Sequence, residues 1–147
     1  MTEKTKLSET LRLAASNKKI KQGFGSYIDS TFRNRVNKVC ACALGACYLS
    51  IDYDKNFRNI SNPNIILHTE ILSNFPELSN RFSFVKFKDI LLSFEGKISK
   101  KKIKRTKEYF DNYIGSTCSL FGLVTTLNDD FKWTFLQIAD FIEYLGI

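Results

Sequence analysis

One apolar stripe, running from residue 36 to residue 51, constrains the fold more than any other feature of this sequence. Its members recur at intervals of three and four residues, which is the spacing of one helix face. Small residues fill the other side of the segment, where they would let a neighbouring helix approach closely. Gly45 is one of them, although glycine costs a helix interior about 1 kcal/mol relative to alanine. We therefore predict one central helix here. The stripe consists of Val36, Cys40, Leu44, Cys47 and Ile51.

Helical spacing recurs along most of the chain of 147 residues. It predicts an all-α fold, a compact single-domain bundle of five to seven helices over residues 1–147, with one short extended segment near residues 24–32. The first helix is expected over residues 5–17. Another is expected to open at Asn62-Pro63, an N-cap followed by proline at the first helical position.

The clearest helix start lies near the C terminus. Thr134 and Gln137 have the spacing of a capping box, in which each side chain bonds the other residue's backbone N–H. Trp133 and Ile138 flank the box as its hydrophobic staple, and Gly146 suits the position just after the helix. A final helix is therefore predicted between Thr134 and Gly146.

Positive charge is distributed unevenly along the chain. There are 22 Lys and Arg against 15 Asp and Glu, a net charge of +7, and residues 108–147 contribute only one of the cations but six of the acids. We predict a basic helix at about 97–114 that presents its cations to an acidic partner. The predicted partner-binding residues are Lys97, Lys100, Lys101, Lys102, Lys104, Arg105 and Lys107.

Two other interpretations of this basic segment remain open. A charge run is often no more than a solvated helix face. A rigid cationic face can also displace counterions from a phosphate backbone, which would make the chain a nucleic-acid-binding protein without sequence preference. Aromatic residues alternate with cations over residues 81–88, but Phe87 is in register with Ile90 and Leu91 and so belongs to the predicted core.

The four cysteines do not have the spacing of a zinc site. If residues 36–51 form one helix, Cys40 and Cys47 share a face and Cys42 points away, so one metal could not collect all three. Buried structural thiols are the expected role. A cysteine-dependent redox protein stays as a third functional hypothesis, and it requires an exposed thiol of low pKa. The fourth cysteine is Cys118.

Signals for enzymatic chemistry are few. His68 is the sole histidine and has no evident nucleophile beside it. Asp129 and Asp130 could form an acid pair, yet Asn-Asp-Asp between two helices is ordinary turn chemistry. Gly23-Phe-Gly25 lacks the third glycine of a dinucleotide loop. We predict no catalytic residue, no metal site and no cofactor.

Membrane insertion is not expected. The uncharged and mainly apolar run from Val39 to Ile51 has 13 residues, whereas a spanning helix needs roughly 17–25. The first residues lead into no apolar segment of the kind that signal peptides carry. A cytoplasmic location follows as the expectation, and the oligomeric state stays open.

Four stretches resemble, in this order, a group of small uncharacterised helical proteins from bacteria and phages. The resemblance spans most of the chain and implies a fold and a bacterial or phage context, but no activity. A composition rich in Lys, Asn, Ile and Phe fits a low-GC gene of the same origin. The stretches are Leu7-Ser-Glu-Thr-Leu-Arg-Leu13, Gln22-Gly-Phe-Gly-Ser-Tyr27, Cys42-Ala-Leu-Gly-Ala46, and Leu127-Asn-Asp-Asp130 with Trp133 and Ile138-Ala-Asp140.

These observations favour a non-catalytic binding or regulatory protein that presents a basic face to an acidic protein surface. A phage accessory protein or an inhibitor of host defence would have this size and composition. Nucleic-acid binding is the alternative, and a thiol-dependent redox protein is the third hypothesis.

Overall fold

A computed structural model of the protein describes residues 5–25, 27–29, 39–58 and 64–147. No helix within these ranges is both long and apolar enough to cross a membrane. The described α-helices are α1 (Leu7–Ser16), α2 (Ala43–Ile51), α3 (Tyr53–Arg58), α4 (Asn64–Asn74), α5 (Phe84–Leu92), α6 (Lys100–Asn112), α7 (Leu120–Asp129) and α8 (Phe135–Tyr144). The strands are β1 (Ile20–Gln22), β2 (Ile28–Asp29), β3 (Val39–Ala41), β4 (Arg81–Ser83) and β5 (Thr117–Ser119), and a short 3₁₀ helix covers Pro76–Ser79.

The fold is mainly helical but not purely all-α. Strand β3 lies between β1, to which it runs parallel, and β2, to which it runs antiparallel. Strands β4 and β5 form a separate antiparallel pair. The extended segment predicted near residues 24–32 is represented by β2, while residues 26 and 30–32 lie outside the described residues. The described ranges hold eight α-helices, one more than the upper limit predicted.

The central helix is shorter than predicted, because part of the apolar stripe forms a strand. Residues 39–41 are buried at every position and hydrogen-bond to a strand on each side. A strand buried on both faces is continuously apolar, so its sequence cannot be told from a buried helix by periodicity. Helix α2 begins only at Ala43. Cys40 therefore lies on β3 and does not share a helix face with Cys47, and Val36 lies outside the described residues.

Gly45 is required by a close backbone approach. A Cβ atom built at this position would lie 1.7 Å from the carbonyl oxygen of Tyr27. The close neighbour is thus the chain entering β2, and not the second helix that the small residues led us to expect. The same carbonyl accepts a hydrogen bond of 3.1 Å from the backbone N–H of Cys42, which fixes β2 over the start of α2.

Helix ends with local signals lie close to their predicted positions. The capping box of Thr134 and Gln137 is complete, with both side chains bonded to the other residue's backbone. Gly146 has φ 79° and its N–H donates to the carbonyl of Glu143. The helix predicted over residues 5–17 is α1, and the basic helix predicted at about 97–114 is α6. Asn62-Pro63 lies outside the described residues.

The core is aromatic along the packing of α5, α6 and α8. Phe87 is fully buried, as predicted, and its ring lies 5.7 Å from that of Phe110 and 6.2 Å from that of Phe141. Trp133 is buried beside Phe141 at 5.7 Å. Helix α1 closes another side of the core by packing against α2 and α8.

One buried asparagine connects three segments that are separated in the sequence, and we call its surroundings the Asn128 joint. Asn128 is fully buried near the end of α7. Its Oδ1 accepts from the side-chain amide of Gln22 at 2.9 Å and from the backbone N–H of Ala43 at 3.2 Å. Its Nδ2 donates to the carbonyl of Gly23 and to the carboxylate of Asp129. The Gln22 amide also donates to the carbonyl of Trp133. Strand β1, helix α2 and the turn before α8 are thereby held at one point.

Candidate binding site

Helix α6 is held in a fixed orientation by its buried side. Ser99 caps its start, and its Oγ accepts from the N–H of Lys102. Thr106 and Phe110 are buried. The Thr106 hydroxyl accepts a 3.0 Å hydrogen bond from the indole N–H of Trp133 and donates to the carbonyl of Lys102. Because these contacts fix the rotation of α6, its remaining sides must face outward.

Three of the seven predicted cations contact neighbouring parts of the protein. The ammonium group of Lys102 lies 3.4 Å from Oε1 of Gln137, the capping-box residue of α8. Arg105 lies 5.8 Å above the ring centre of Phe131. Lys97, in the loop before α6, reaches the hydroxyl of Tyr144 at 3.5 Å. These three residues help to hold α6 and its loop against the rest of the chain.

The other four cations point into solvent, and we call them the lysine face: Lys100, Lys101, Lys104 and Lys107. In ideal helix geometry they fall within an arc of about 120°. None of the seven cations forms a salt bridge with any residue that the structure describes. Glu108, one turn beyond Lys104, falls within the same arc. The lysine face therefore has four positive charges beside one negative charge, a net positive surface on a rigid element.

An open groove of about 350 Å³ runs beside this face, between α6 and the loop that precedes it. Lysines form one rim, and two isoleucines line it. Ile98 is buried, and Ile103 is half-buried with its side chain packed against the core. Gly96, with φ 82°, turns the loop around the groove. The full lining is Glu95, Gly96, Ile98, Lys100, Ile103, Lys104 and Lys107. We call it the isoleucine groove.

Acidic residues limit the basic surface at both ends. Glu95 lines the isoleucine groove at its loop side. Asp111, one turn beyond Lys107, forms a salt bridge with Lys88 of α5. The net positive region thus covers about two turns of α6, a local patch and not a stripe along the whole helix.

The aromatic residues over 81–88 do not form an open stacking platform. Phe84 and Phe87 are buried, and Lys86 lies 5.2 Å above the ring of the half-buried Phe82. Tyr113 is 49% exposed, but its ring packs against Phe84 at 5.6 Å. Bases of a single strand would have to displace these contacts in order to stack.

The thiols have the properties of buried structural cysteines. Cys40, Cys42 and Cys47 are buried, and Cys118 is partly covered. Burial raises the pKa of Cys42 to about 11, although the backbone N–H groups at the start of α2 act in the opposite direction. Burial also raises the pKa of Cys47 and of Cys118. A thiolate is the nucleophilic form, so these three thiols are poorly suited to exchange at neutral pH.

His68 pairs with a tyrosine. Its Nδ1 and the hydroxyl of Tyr27 are joined by a hydrogen bond of 2.7 Å, and the ring of Phe121 packs edge-on against both. Burial raises the pKa of Tyr27, which weakens it as a nucleophile. The pair connects the chain entering β2 to α4.

The two aspartates after Asn128 take part in local turn bonding. The carboxylate of Asp129 accepts from Asn128, and its carbonyl accepts from Lys132. The backbone N–H of Asp130 donates to Thr126, as a residue at the end of α7 should. Among the residues described, no group of three or more His, Cys, Asp or Glu side chains is placed to hold a metal ion.

The isoleucine groove cannot be seen in the sequence, because it depends on the loop around Gly96 lying beside the second turn of α6. A partial signal was present in the spacing of Lys100, Lys104 and Lys107, which bracket Ile103 on one helix face. No family model, no curated protein and no solved structure matches the chain. Function is therefore inferred from this surface and its surroundings.

Proposed function

We propose that the chain is a non-catalytic binding protein whose lysine face contacts an acidic surface of another protein. Such a module suits a regulatory role, including that of a phage accessory protein or an inhibitor of host defence. The resemblance to bacterial and phage proteins implies the same context.

The observation that carries the proposal is the contrast among the seven cations of the basic segment. Lys97, Lys102 and Arg105 have partners within the protein. The four lysines of the lysine face have none of the salt bridges that the described chain offers elsewhere. A partner that brings carboxylates would supply the missing counter-charges and would be attracted over a distance of about 8–10 Å at physiological salt.

The thiols and the histidine support a binding role more than a catalytic one. Raised pKa values at Cys42, Cys47 and Cys118 oppose thiolate formation. The Nδ1 of His68 is engaged with Tyr27. The redox hypothesis needs an exposed thiol that ionises easily, and these features count against it.

An acidic protein suits the surface better than a nucleic acid does. The isoleucine groove offers Ile98 and Ile103 to a ligand, and a phosphate backbone has no apolar group to place there. A peptide can combine carboxylates with an aliphatic side chain, so it can use both parts of the site.

The test compares two charge-changed proteins with the wild type. The first is K100E/K101E/K104E/K107E, which reverses the lysine face and leaves the packed Arg105 unchanged. The second is K6E/K18E/K21E/K55E, a matched control in which four exposed lysines elsewhere are reversed. Fluorescence anisotropy would measure the binding of a labelled glutamate-rich peptide and of a duplex DNA of similar length, at low and near-physiological salt.

We expect the wild type and the control to bind the peptide, and the lysine-face variant to bind about 100-fold more weakly. That figure assumes four ion pairs of roughly 0.5–1 kcal/mol each. Equal weakening in both variants would mean that net charge, and not this face, determines binding. Tighter binding to duplex DNA than to the peptide, lost steeply with salt, would instead identify a nucleic-acid-binding protein.

A further inference from the structure

We infer that the isoleucine groove binds one aliphatic side chain of an extended acidic segment, whose flanking carboxylates pair with the lysine face. The inference rests on the proposed function, because it specifies the partner of the same surface. It adds that a ligand needs an aliphatic side chain, as well as negative charge, to bind tightly.

The lining of the groove supports an aliphatic anchor. Ile98 is 7% exposed and Ile103 is partly buried against the core, and both line the groove. A volume of about 350 Å³ exceeds that of one side chain and is too small for a folded element. An aliphatic group placed between the two isoleucines would leave water without displacing any hydrogen bond of the protein.

The spacing of the lysines fits an extended segment. Lys100, Lys104 and Lys107 span seven residues of α6, or about 10 Å along the helix axis. In an extended chain, residues two positions before and after the anchor point to the same side as the anchor, and they lie about 13 Å apart. Acidic residues at those two positions would reach the outer lysines while the anchor enters the groove.

The apolar surface of the isoleucine groove continues onto the neighbouring helix α5. The ring of Phe84 contacts Tyr113 and that of Phe87 contacts Phe110, so later residues of α5 meet earlier residues of α6 and the two helices run antiparallel. The salt bridge between Lys88 and Asp111 joins them near this point. Leu92 lies one helical turn after Lys88, and Lys107 lies one turn before Asp111. The antiparallel pairing of the two helices therefore places Leu92 near Lys107. Leu92 is 55% exposed. A segment that leaves the groove at this end would pass over an apolar side chain and then meet Asp111, which marks the limit of the acidic ligand.

The experiment uses the full chain and two labelled glutamate-rich peptides that differ at one central residue, leucine in one and serine in the other. We expect the leucine peptide to bind about tenfold more tightly, a difference of about 1.4 kcal/mol, and to keep more of its affinity as salt is raised. In protein with labelled isoleucine methyl groups, the leucine peptide should shift the Ile98 and Ile103 signals, and the serine peptide should not.

The variant I103T replaces the ethyl branch of the side chain by a hydroxyl and should remove most of the advantage of leucine, whereas I103V, which has the same shape as I103T but no hydroxyl, should keep it. If I103T does not fold, the methyl signals of the wild type still give the answer. Equal affinities for the two peptides, together with unshifted Ile98 and Ile103 signals, would overturn the inference. The proposed function would survive that result as long as the lysine-face variant loses both peptides, and it would fall if the wild type bound neither.

Discussion

The Asn128 joint and the lysine face are both polar, but the polar groups of the joint are hydrogen-bonded within the protein and those of the lysine face are exposed to solvent. At the joint, one buried side chain makes four hydrogen bonds that connect β1, α2 and the end of α7. On the lysine face, four ammonium groups point away from the protein and pair with no carboxylate of the described chain. The first set of groups is fully satisfied within the fold, and the second is not.

The difference separates residues that hold the structure from residues that are available to a partner. A buried polar atom must find a partner, because an unpaired one costs about 1–3 kcal/mol. An exposed cation carries no such cost, and four of them on two helical turns repel one another modestly. The joint should therefore be sensitive to substitution in stability, and the lysine face in binding.

Asn128→Ala should have the largest effect on the free energy of unfolding. It leaves the buried N–H of Ala43 and the partly buried carbonyl of Gly23 without their partner, so we expect a loss of about 3 kcal/mol or more. Urea denaturation would measure it. The matched control is Asn112→Ala, at an exposed helix end, which should change stability by less than about 0.5 kcal/mol. A similar small change at both positions would show that the joint does not hold these elements together.

Gly45→Ala should follow, with a loss of about 3 kcal/mol, because the added Cβ would collide with the carbonyl oxygen of Tyr27 unless β2 moved. Gly115→Ala is the control. A Cβ at Gly115 meets no atom within 4 Å, so its stability should stay close to that of the wild type. If the two variants unfold at the same urea concentration, the close approach of β2 to α2 is not a constraint on the fold.

Gly45 also shows how far the sequence could predict this fold. A small residue in the middle of a helix signals a close neighbour, but it does not reveal whether that neighbour is a helix or a strand. The same limit applies to Val39–Ala41, since a strand buried on both sides has the apolar continuity of a helix. Signals confined to a few consecutive residues were reliable, as the capping box at Thr134 and Gln137 demonstrates.

The same limit applies to the proposed binding surface: its local features are visible in the sequence, and its tertiary contacts are not. The density of lysines in residues 97–107 is visible in the sequence, and so is the helix that carries them. The contacts of Lys102 with Gln137 and of Arg105 with Phe131 depend on how α6 packs, so charge counting could not separate them from the lysine face. The isoleucine groove could not be predicted for the same reason, because it depends on how the loop around Gly96 packs beside α6.

The third prediction concerns how the free energy of unfolding depends on pH. Burial raises the pKa of Cys42 from 9.0 to about 11, so the unfolded chain loses this proton at lower pH than the folded protein does. The contribution of the protonated thiol to stability is complete below pH 9 and is lost as the pH rises through about 11. The expected loss is about 2 to 3 kcal/mol.

Urea denaturation between pH 8 and pH 11 would measure this loss, with Cys42→Ala as the comparison. Cys47 and Tyr27 also have raised pKa values and act in the same direction, but they are present in both proteins. Charge repulsion from Cys42 contributes to both of those raised pKa values, so the difference between the two pH profiles reports Cys42 together with its coupling to Cys47 and Tyr27. Parallel profiles would mean that its thiol is not buried in the way the fold requires, and would reopen the redox hypothesis.

Substitutions in the lysine face should have the smallest effect on the free energy of unfolding. In K100A/K101A/K104A/K107A the helix keeps its cap at Ser99 and its buried contacts at Thr106 and Phe110. Alanine is a better helix former than lysine, and the repulsion among four cations disappears. The free energy of unfolding should therefore stay within about 0.5 kcal/mol of the wild type or rise slightly. Affinity for the glutamate-rich peptide should nevertheless fall steeply. A variant that lost stability and binding together would show that these lysines hold the fold after all, and the distinction between the two regions would no longer hold.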